Sequence, residues 1–174
     1  MKRPIEKRSP SGVFDHLALA LTTVGVGYIP GAPGTYGSAV GVAVWWAASP
    51  LILFYIPQGW RSAAVGVLLT AFCLVGIAAA DRAIAFFGNA DPSEAVVDEV
   101  MGQLITFAFV PFAVSWPVVL AGFLLFRLFD IWKPFPIDAM QDLEGGLGVC
   151  IDDIVAGVYA GICLAIGYAV YTAF

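Results

Sequence analysis

The chain has 174 residues, of which 60% are hydrophobic and 12% are charged, and its formal net charge is −5. Soluble domains carry about 25% charged residues, so this composition excludes an ordinary soluble domain and predicts an all-α protein embedded in a membrane. The acidic balance argues against nucleic acid as a partner, because phosphate backbones attract basic stripes. The length allows one membrane-embedded domain over residues 1–174.

The N-terminal region is basic and leads into a short apolar segment. Residues 1–10 contain four Lys or Arg side chains, and the positive-inside rule places such an end in the cytoplasm. Residues 16–29 are mostly apolar but fall short of the roughly 20 residues that a membrane span needs. We therefore predict a cytoplasmic, retained N-terminus followed by a short interfacial or re-entrant helix.

Three uncharged segments are long enough to cross the bilayer, and they comprise residues 37–56, 63–80 and 154–174. A fourth uncharged segment, residues 100–126, contains prolines and has two interpretations. It forms either one long kinked span or two shorter passes that turn at residues 115–117.

Charge placement favours two passes. Residues 81–99 and 127–153 then both face the cytoplasm, and Arg61 is the only charge left outside. A single pass would instead distribute the charged clusters over both faces. We predict a compact bundle of about five transmembrane helices, in addition to the N-terminal helix.

Two carboxylate pairs lie beside the predicted spans. Asp98 and Glu99 fall in the first two turns of a helix that is predicted to begin near Ser93, at headgroup depth. Asp152 and Asp153 are predicted to open the last span. Adjacent carboxylates repel, so a cation explains such a pair, although charges that favour a helix N-terminus are an alternative. Hard oxygen donors predict Mg²⁺, with all four residues as candidate ligands.

Basic residues near these carboxylates suit a phosphate. Arg127, Asp130 and Lys133 are spaced by three residues and form a ridge on one helical face. Arg127 can bind phosphate oxygens through two N–H groups, and Lys133 can act as a point charge. A structural ion pair between Arg127 and Asp130 is the alternative.

A glycine-containing turn precedes the first predicted span. Residues 33–38 have the sequence PGTYGS, and backbone N–H groups at such a helix start can bind an anion. Gly34, Thr35 and Ser38 are therefore candidate substrate-binding residues. The alternative is a simple turn in which Thr35 only caps the helix.

Four stretches carry a resemblance to a known family: residues 33–38 (PGTYGS), 97–102 (VDEVMG), 126–137 (FRLFDIWKPFPI) and 146–157 (GLGVCIDDIVAG). At these stretches the chain resembles the phosphatidylglycerophosphatase A family of bacterial inner-membrane enzymes. The resemblance implies Mg²⁺-dependent removal of the terminal phosphate from phosphatidylglycerophosphate, a phospholipid in the bilayer. It assigns no role to His16.

We hypothesise roles for the charged residues in such a reaction. The candidate metal ligands are Asp98, Glu99, Asp152 and Asp153, and the candidate catalytic residues are Asp98, Glu99, Arg127, Asp130 and Lys133. Among these, Glu99 is expected to orient the attacking water, and Arg127 and Lys133 to offset phosphoryl charge. Direct attack by water and a transient phospho-aspartate both remain open.

A membrane transporter for a small cation or for proton-coupled substrates is the rival interpretation, since intramembrane acids also mark ion pathways. A transporter is expected to hold its charges near the bilayer midplane, often with inverted repeats. Here the charges gather at one interface and the sequence shows no internal repeat, so the phosphatase interpretation is preferred. The oligomeric state is not predicted.

Overall fold

A computed structural model describes residues 5–113 and 115–174; Lys2 and Arg3, two of the basic N-terminal residues, lie outside them. The described residues form seven α-helices and no strand, which confirms the all-α prediction. The helices are α1 (Val13–Thr23), α2 (Pro33–Tyr55), α3 (Arg61–Phe87), α4 (Val97–Phe107), α5 (Trp116–Trp132), α6 (Ile137–Met140) and α7 (Gly145–Ala173). One-turn 3₁₀ helices at Val26–Tyr28 and Gln58–Trp60 precede α2 and α3.

Three helices are long and apolar enough to cross a membrane, namely α2, α3 and α7. At about 1.5 Å of rise per residue, each exceeds the roughly 30 Å of a bilayer core. Large apolar side chains such as Leu68, Leu74 and Ile166 are exposed on their outer faces. In water such faces would be unstable, so the protein is a membrane protein, as the composition predicts.

The ambiguous segment 100–126 contains parts of two helices, α4 and α5, separated by residues 108–115. Two helices therefore replace the single kinked span. With 11 residues, α4 rises only about 17 Å, and nine of its residues are buried. It is enclosed by its neighbours rather than exposed to lipid. The number of five spans remains a prediction.

The N-termini of some helices and the C-termini of others lie together at one end of the bundle, which we call the polar end. It contains the N-termini of α2, α4 and α7 and the C-terminus of α5, and residues of these four helices line one cavity there. The C-terminus of α3 joins them, because Asp81 accepts a hydrogen bond of 3.0 Å from the Gly146 N–H. Arg61 lies at the opposite end, where it donates to the carbonyls of Leu53 and Ile56.

Glycines let the central helix α4 approach its neighbours closely, as small residues do in membrane bundles. A Cβ atom at Gly41 of α2 would lie 2.7 Å from Cβ of Gln103. A Cβ atom at Gly102 of α4 would lie 2.5 Å from the carbonyl oxygen of Asp153 in α7. These contacts bring the acidic turns of α4 and α7 side by side.

A short N-terminal helix is present as α1, although it covers Val13–Thr23 rather than residues 16–29, and its interfacial or re-entrant placement stays a prediction. An ion cluster around the buried Asp15 side chain holds it against α3. The Asp15 carboxylate accepts hydrogen bonds from Arg8 at 2.7 Å, from Arg82 at 2.5 Å and from the Ser11 N–H at 2.9 Å. The C-terminal turn of α1 then supports α4, because the Thr22 carbonyl accepts the N–H of the residue that precedes α4.

Candidate active site

A cavity of about 340 Å³ lies at the polar end, between α2, α4, α5 and α7. Six carboxylates and two basic side chains line it: Asp91, Asp98, Glu99, Asp130, Asp152, Asp153, Arg127 and Lys133. With every group ionised the wall carries an excess of four negative charges. Such an excess in a partly buried site requires cations or bound protons.

Three of the carboxylates converge on one point. One oxygen each from Asp98, Glu99 and Asp153 lies within 4.8 Å of the other two. Asp98 and Asp153 are buried, with 8% and 4% of their surface exposed. The predicted helix start near Ser93 is wrong: α4 begins at Val97, so Asp98 and Glu99 occupy its first turn.

The predicted position of the second acidic pair is also wrong. Helix α7 begins at Gly145, so Asp152 and Asp153 lie two turns inside it rather than at its mouth. Neighbouring residues on a helix point about 100° apart, and the two carboxylates diverge. Asp153 joins the triad, whereas Asp152 accepts a hydrogen bond of 2.6 Å from Lys133. Neither carboxylate lies in the first turn, which removes the helix-dipole explanation.

The two cations of the cavity are each held by carboxylates. Arg127 donates to Asp130 at 2.5 Å, and the ammonium of Lys133 lies 2.6 Å from Asp152 and 4.0 Å from Asp130. Burial lowers the pKa of Lys133, but its hydrogen bond to Asp152 and the nearby negative charges outweigh this effect. The pKa of Lys133 therefore lies above its ordinary value of 10.5, and its amine stays protonated at neutral pH.

Lys133 does not continue the helical ridge that its spacing predicts. Helix α5 ends at Trp132, and Lys133 adopts a left-handed conformation with φ of 46°. Its side chain is thereby redirected from the helix axis towards α7. The three-residue spacing correctly groups Arg127 with Asp130, but the tertiary structure decides which carboxylate Lys133 contacts.

The PGTYGS stretch forms the first turns of α2 instead of a loop before it. Gly34 lines the cavity, where a Cβ atom would collide with Oε1 of Glu99 and lie 3.1 Å from Nη1 of Arg127. Ser38 is buried and its hydroxyl lies 3.4 Å from Nη1 of Arg127. Thr35 is half-buried and lies outside the cavity wall.

Two polar residues of the cavity wall, Asp91 and Ser93, were not predicted as site residues; Ser93 was considered only as the start of a helix. They lie in the loop before α4 and form part of the cavity wall. Their closeness in sequence to Asp98 was the only available signal. The ion cluster around the buried Asp15 was missed as well, because its partner Arg82 lies 67 positions away in sequence.

The triad has the donor chemistry that suits Mg²⁺, which prefers oxygen ligands and binds through a few carboxylates with water and phosphate. Oε2 of Glu99 is buried and has no hydrogen-bond partner among the residues that the structure describes. Buried polar atoms are normally paired, so the Glu99 carboxylate can take a further partner, either a cation or a hydrogen-bond donor. The cysteines do not compete, since Cys73, Cys150 and Cys163 form no cluster with the triad in the described chain.

Comparison with known proteins gives consistent results. A sequence model of the family Phosphatidylglycerophosphatase A matches residues 19–168. The phosphatidylglycerophosphatase A of Haemophilus influenzae is 37% identical over 161 residues, which cover 91% of both chains. That of Escherichia coli is 36% identical over 146 residues, covering 83% of this chain and 79% of the other. No solved structure matches the chain.

A further relative has a different name. A Bacteroides thetaiotaomicron protein, provisionally named a phosphatidylinositol-3-phosphatase, is 40% identical over 146 residues, covering 83% of this chain and 89% of the other. The family match contains all four stretches that carry the resemblance and every charged residue of the cavity wall. The chain is therefore an enzyme, a lipid phosphatase rather than a transporter, and it belongs to the phosphatidylglycerophosphatase A family.

Proposed function

We propose that the protein hydrolyses phosphatidylglycerophosphate to phosphatidylglycerol and inorganic phosphate, in a Mg²⁺-dependent reaction at the cytoplasmic face of a bacterial inner membrane. One observation carries this proposal: the carboxylate triad and two cations line the same cavity at one end of an apolar bundle. A phosphate monoester on a lipid headgroup would enter such a cavity while its acyl chains remain in the bilayer.

Arg127 and Lys133 are the residues that would bind the phosphate. Both side chains are partly exposed, with 18% and 27% of their surface accessible, and both line the cavity. Asp130 lies between them and fixes Arg127. The N-terminus of α2 adds backbone N–H groups and the positive end of its dipole beside Gly34, which favours an anion there.

Asp98, Glu99 and Asp153 would hold Mg²⁺. When bound, the ion would supply charge stabilisation to the phosphoryl oxygens and would lower the pKa of a coordinated water. Asp152 contributes indirectly, because it keeps the Lys133 ammonium at the cavity wall. Glu99 would orient the nucleophile from its position against Gly34.

The overall reaction breaks the ester O–P bond at the headgroup and forms a new P–O bond to a nucleophilic oxygen. With direct hydrolysis the nucleophile is water, and its proton passes to a carboxylate. The leaving alkoxide of phosphatidylglycerol takes up a proton. A carboxylate nucleophile would form a transient acyl phosphate that water then hydrolyses.

Basic residues support a cytoplasmic polar end. Lys7, Arg8 and Arg82 lie there, and Arg61 lies at the other end. We propose that α4 and α5 belong to a fourth and a fifth pass, with the N-terminus cytoplasmic.

The test is phosphate release from phosphatidylglycerophosphate by detergent-purified protein, with and without Mg²⁺, for wild type and Asp98→Asn. We expect release that requires Mg²⁺ and is abolished in Asp98→Asn, while the variant elutes as a folded protein. Absence of release by wild type with every divalent metal tested would refute the proposal.

The Bacteroides relative supports a second candidate substrate, a phosphoinositide with a phosphate monoester on its inositol ring. The charged cavity suits any such monoester, so the same assay should include phosphatidylinositol-3-phosphate. A larger kcat/KM for this lipid than for phosphatidylglycerophosphate would favour the second candidate and leave the proposed chemistry unchanged.

A further inference from the structure

Gln103 is a buried polar residue in the middle of α4 that the proposed reaction does not use. Its exposed surface is 0%, and neither Oε1 nor Nε2 has a hydrogen-bond partner in the described part of the chain. Burying a carboxamide without partners destabilises a fold, and apolar residues of similar size would fill the position. The residue therefore requires an explanation beyond packing.

Gln103 lies one helical turn away from a member of the carboxylate triad. Gln103 follows Glu99 by four residues, so the two side chains lie one above the other on the same face of α4. Both face glycines of α2: Glu99 lies against Gly34, and a Cβ atom at Gly41 would lie 2.7 Å from Cβ and 3.0 Å from Cγ of Gln103. The glycine at position 41 makes the space that the glutamine side chain occupies.

Glu99 and Gln103 have complementary hydrogen-bonding atoms, an acceptor on one and a donor on the other, that both lack partners among the described residues. Oε2 of Glu99 is a buried acceptor without a partner among the described residues, and the Nε2 group of Gln103 is a donor one turn away. Carboxylates that bind metals are commonly oriented by such hydrogen bonds from neighbouring groups. A donor on the bilayer side of Glu99 would fix one carboxylate oxygen and leave the other for the triad.

We propose that Gln103 is a positioning residue that donates a hydrogen bond to Glu99, directly after a rotamer change or through one water molecule. It thereby holds the Glu99 carboxylate in the orientation that completes the metal site with Asp98 and Asp153. This inference rests on the proposed metal-dependent function. It makes Gln103 part of metal binding without contact to the substrate.

The test replaces Gln103 by methionine, which keeps the length of the side chain and removes both polar atoms. The readout is the Mg²⁺-dependent rise in melting temperature of the detergent-solubilised protein, titrated to an apparent Kd. We expect Gln103→Met to raise the apparent Kd for Mg²⁺ about tenfold or more, while the melting temperature without Mg²⁺ stays equal or increases. A structural role alone would leave the apparent Kd unchanged.

Trp45→Phe is the matched control. Trp45 follows Gly41 by one turn of α2, is 4% exposed, and its Nε1 atom also has no partner within the described residues. The variant removes a buried unpaired donor from the same interface but farther from Glu99, so its apparent Kd should match wild type.

A double-variant cycle tests whether Gln103 acts through Glu99. In a Glu99→Gln background, Gln103→Met should produce no further change in Mg²⁺ affinity, because the residue to be oriented is already altered. Wild-type affinity in Gln103→Met, or additive effects in the double variant, would overturn the inference alone. A wild-type melting temperature that does not respond to Mg²⁺ would overturn the metal site as well.

Discussion

The polar end of the protein contains an ion cluster at Asp15 and a carboxylate-lined cavity, and the two differ in how their negative charge is compensated. At Asp15, a single carboxylate receives two arginine side chains and a backbone N–H. In the cavity, six carboxylates share two cations, and buried oxygens of Glu99 and Asp152 lack partners among the described residues. The Asp15 carboxylate is neutralised by side chains of the protein itself, whereas the cavity requires additional cations or bound protons.

This difference separates a structural ion cluster from a candidate active site. A carboxylate that is fully paired by its own chain can only stabilise the fold, because no lone pair is left to bind a ligand. A group with excess negative charge is costly until a cation neutralises it. The comparison predicts that variants of the two groups change stability in opposite directions.

The largest effect is expected in the cavity, at Asp153. Asp153→Asn removes one triad oxygen donor and should lower kcat/KM by more than about 100-fold, since even partners of metal ligands contribute about 10- to 100-fold. The melting temperature without Mg²⁺ should stay equal or rise, because repulsion among the carboxylates decreases. Phosphate release and thermal unfolding measure the two effects. A large loss of stability would contradict the comparison.

Gly34→Ala should have a smaller effect on the same group. The added Cβ collides with Oε1 of Glu99 and displaces the carboxylate, which should lower activity about 10- to 100-fold through misplacement of the site. Gly59→Ala, at the opposite end of the bundle, is the control, because a Cβ atom there would meet nothing within 4 Å. Equal activity of the two variants would show that the close approach at Gly34 has no functional role.

Asp15→Asn should lower the thermal stability of the protein and change its enzymatic activity only slightly. It leaves the guanidinium groups of Arg8 and Arg82 without their shared carboxylate and loosens α1 from α3, so the melting temperature should fall by about 5 °C or more. Activity measured at low temperature should change less than about threefold, because no cavity residue is altered. Loss of activity with an unchanged melting temperature would assign Asp15 to the site instead.

The pH dependence of stability provides the smallest and most specific test. Hydrogen bonds from Arg8, Ser11 and Arg82 hold the pKa of Asp15 below its ordinary value of 3.8. A lowered folded-state pKa gives stability that is present above the unfolded value and lost as pH falls through the folded one. The melting temperature of wild type should therefore exceed that of Asp15→Asn by a constant amount from about pH 7 to 5. Below about pH 4 this difference in melting temperature should decrease. A decrease that begins already at about pH 6 would contradict the lowered pKa of Asp15.

The sequence by itself determined the all-α class of fold and the family, and it pointed to most of the charged residues that line the cavity. Long uncharged segments can only be satisfied in a bilayer as helices, so the three main spans followed from composition and length. The residue types of the site were also readable, because clustered acids next to Arg127 and Lys133 are rare in so apolar a chain. Local spacing correctly joined Asp98 with Glu99 and Arg127 with Asp130.

Only the tertiary structure decided how these residues are combined. Asp152 and Asp153 are adjacent in sequence, but they contact different groups because a helix turns about 100° per residue. The start of α7 at Gly145 places both of them two turns inside the helix. The triad depends on glycine contacts between α2, α4 and α7, and the Asp15 cluster on residues 67 positions apart. Hydropathy and residue spacing predict local structure. These pairings depend instead on packing between helices that are distant in sequence, which a local sequence pattern cannot predict.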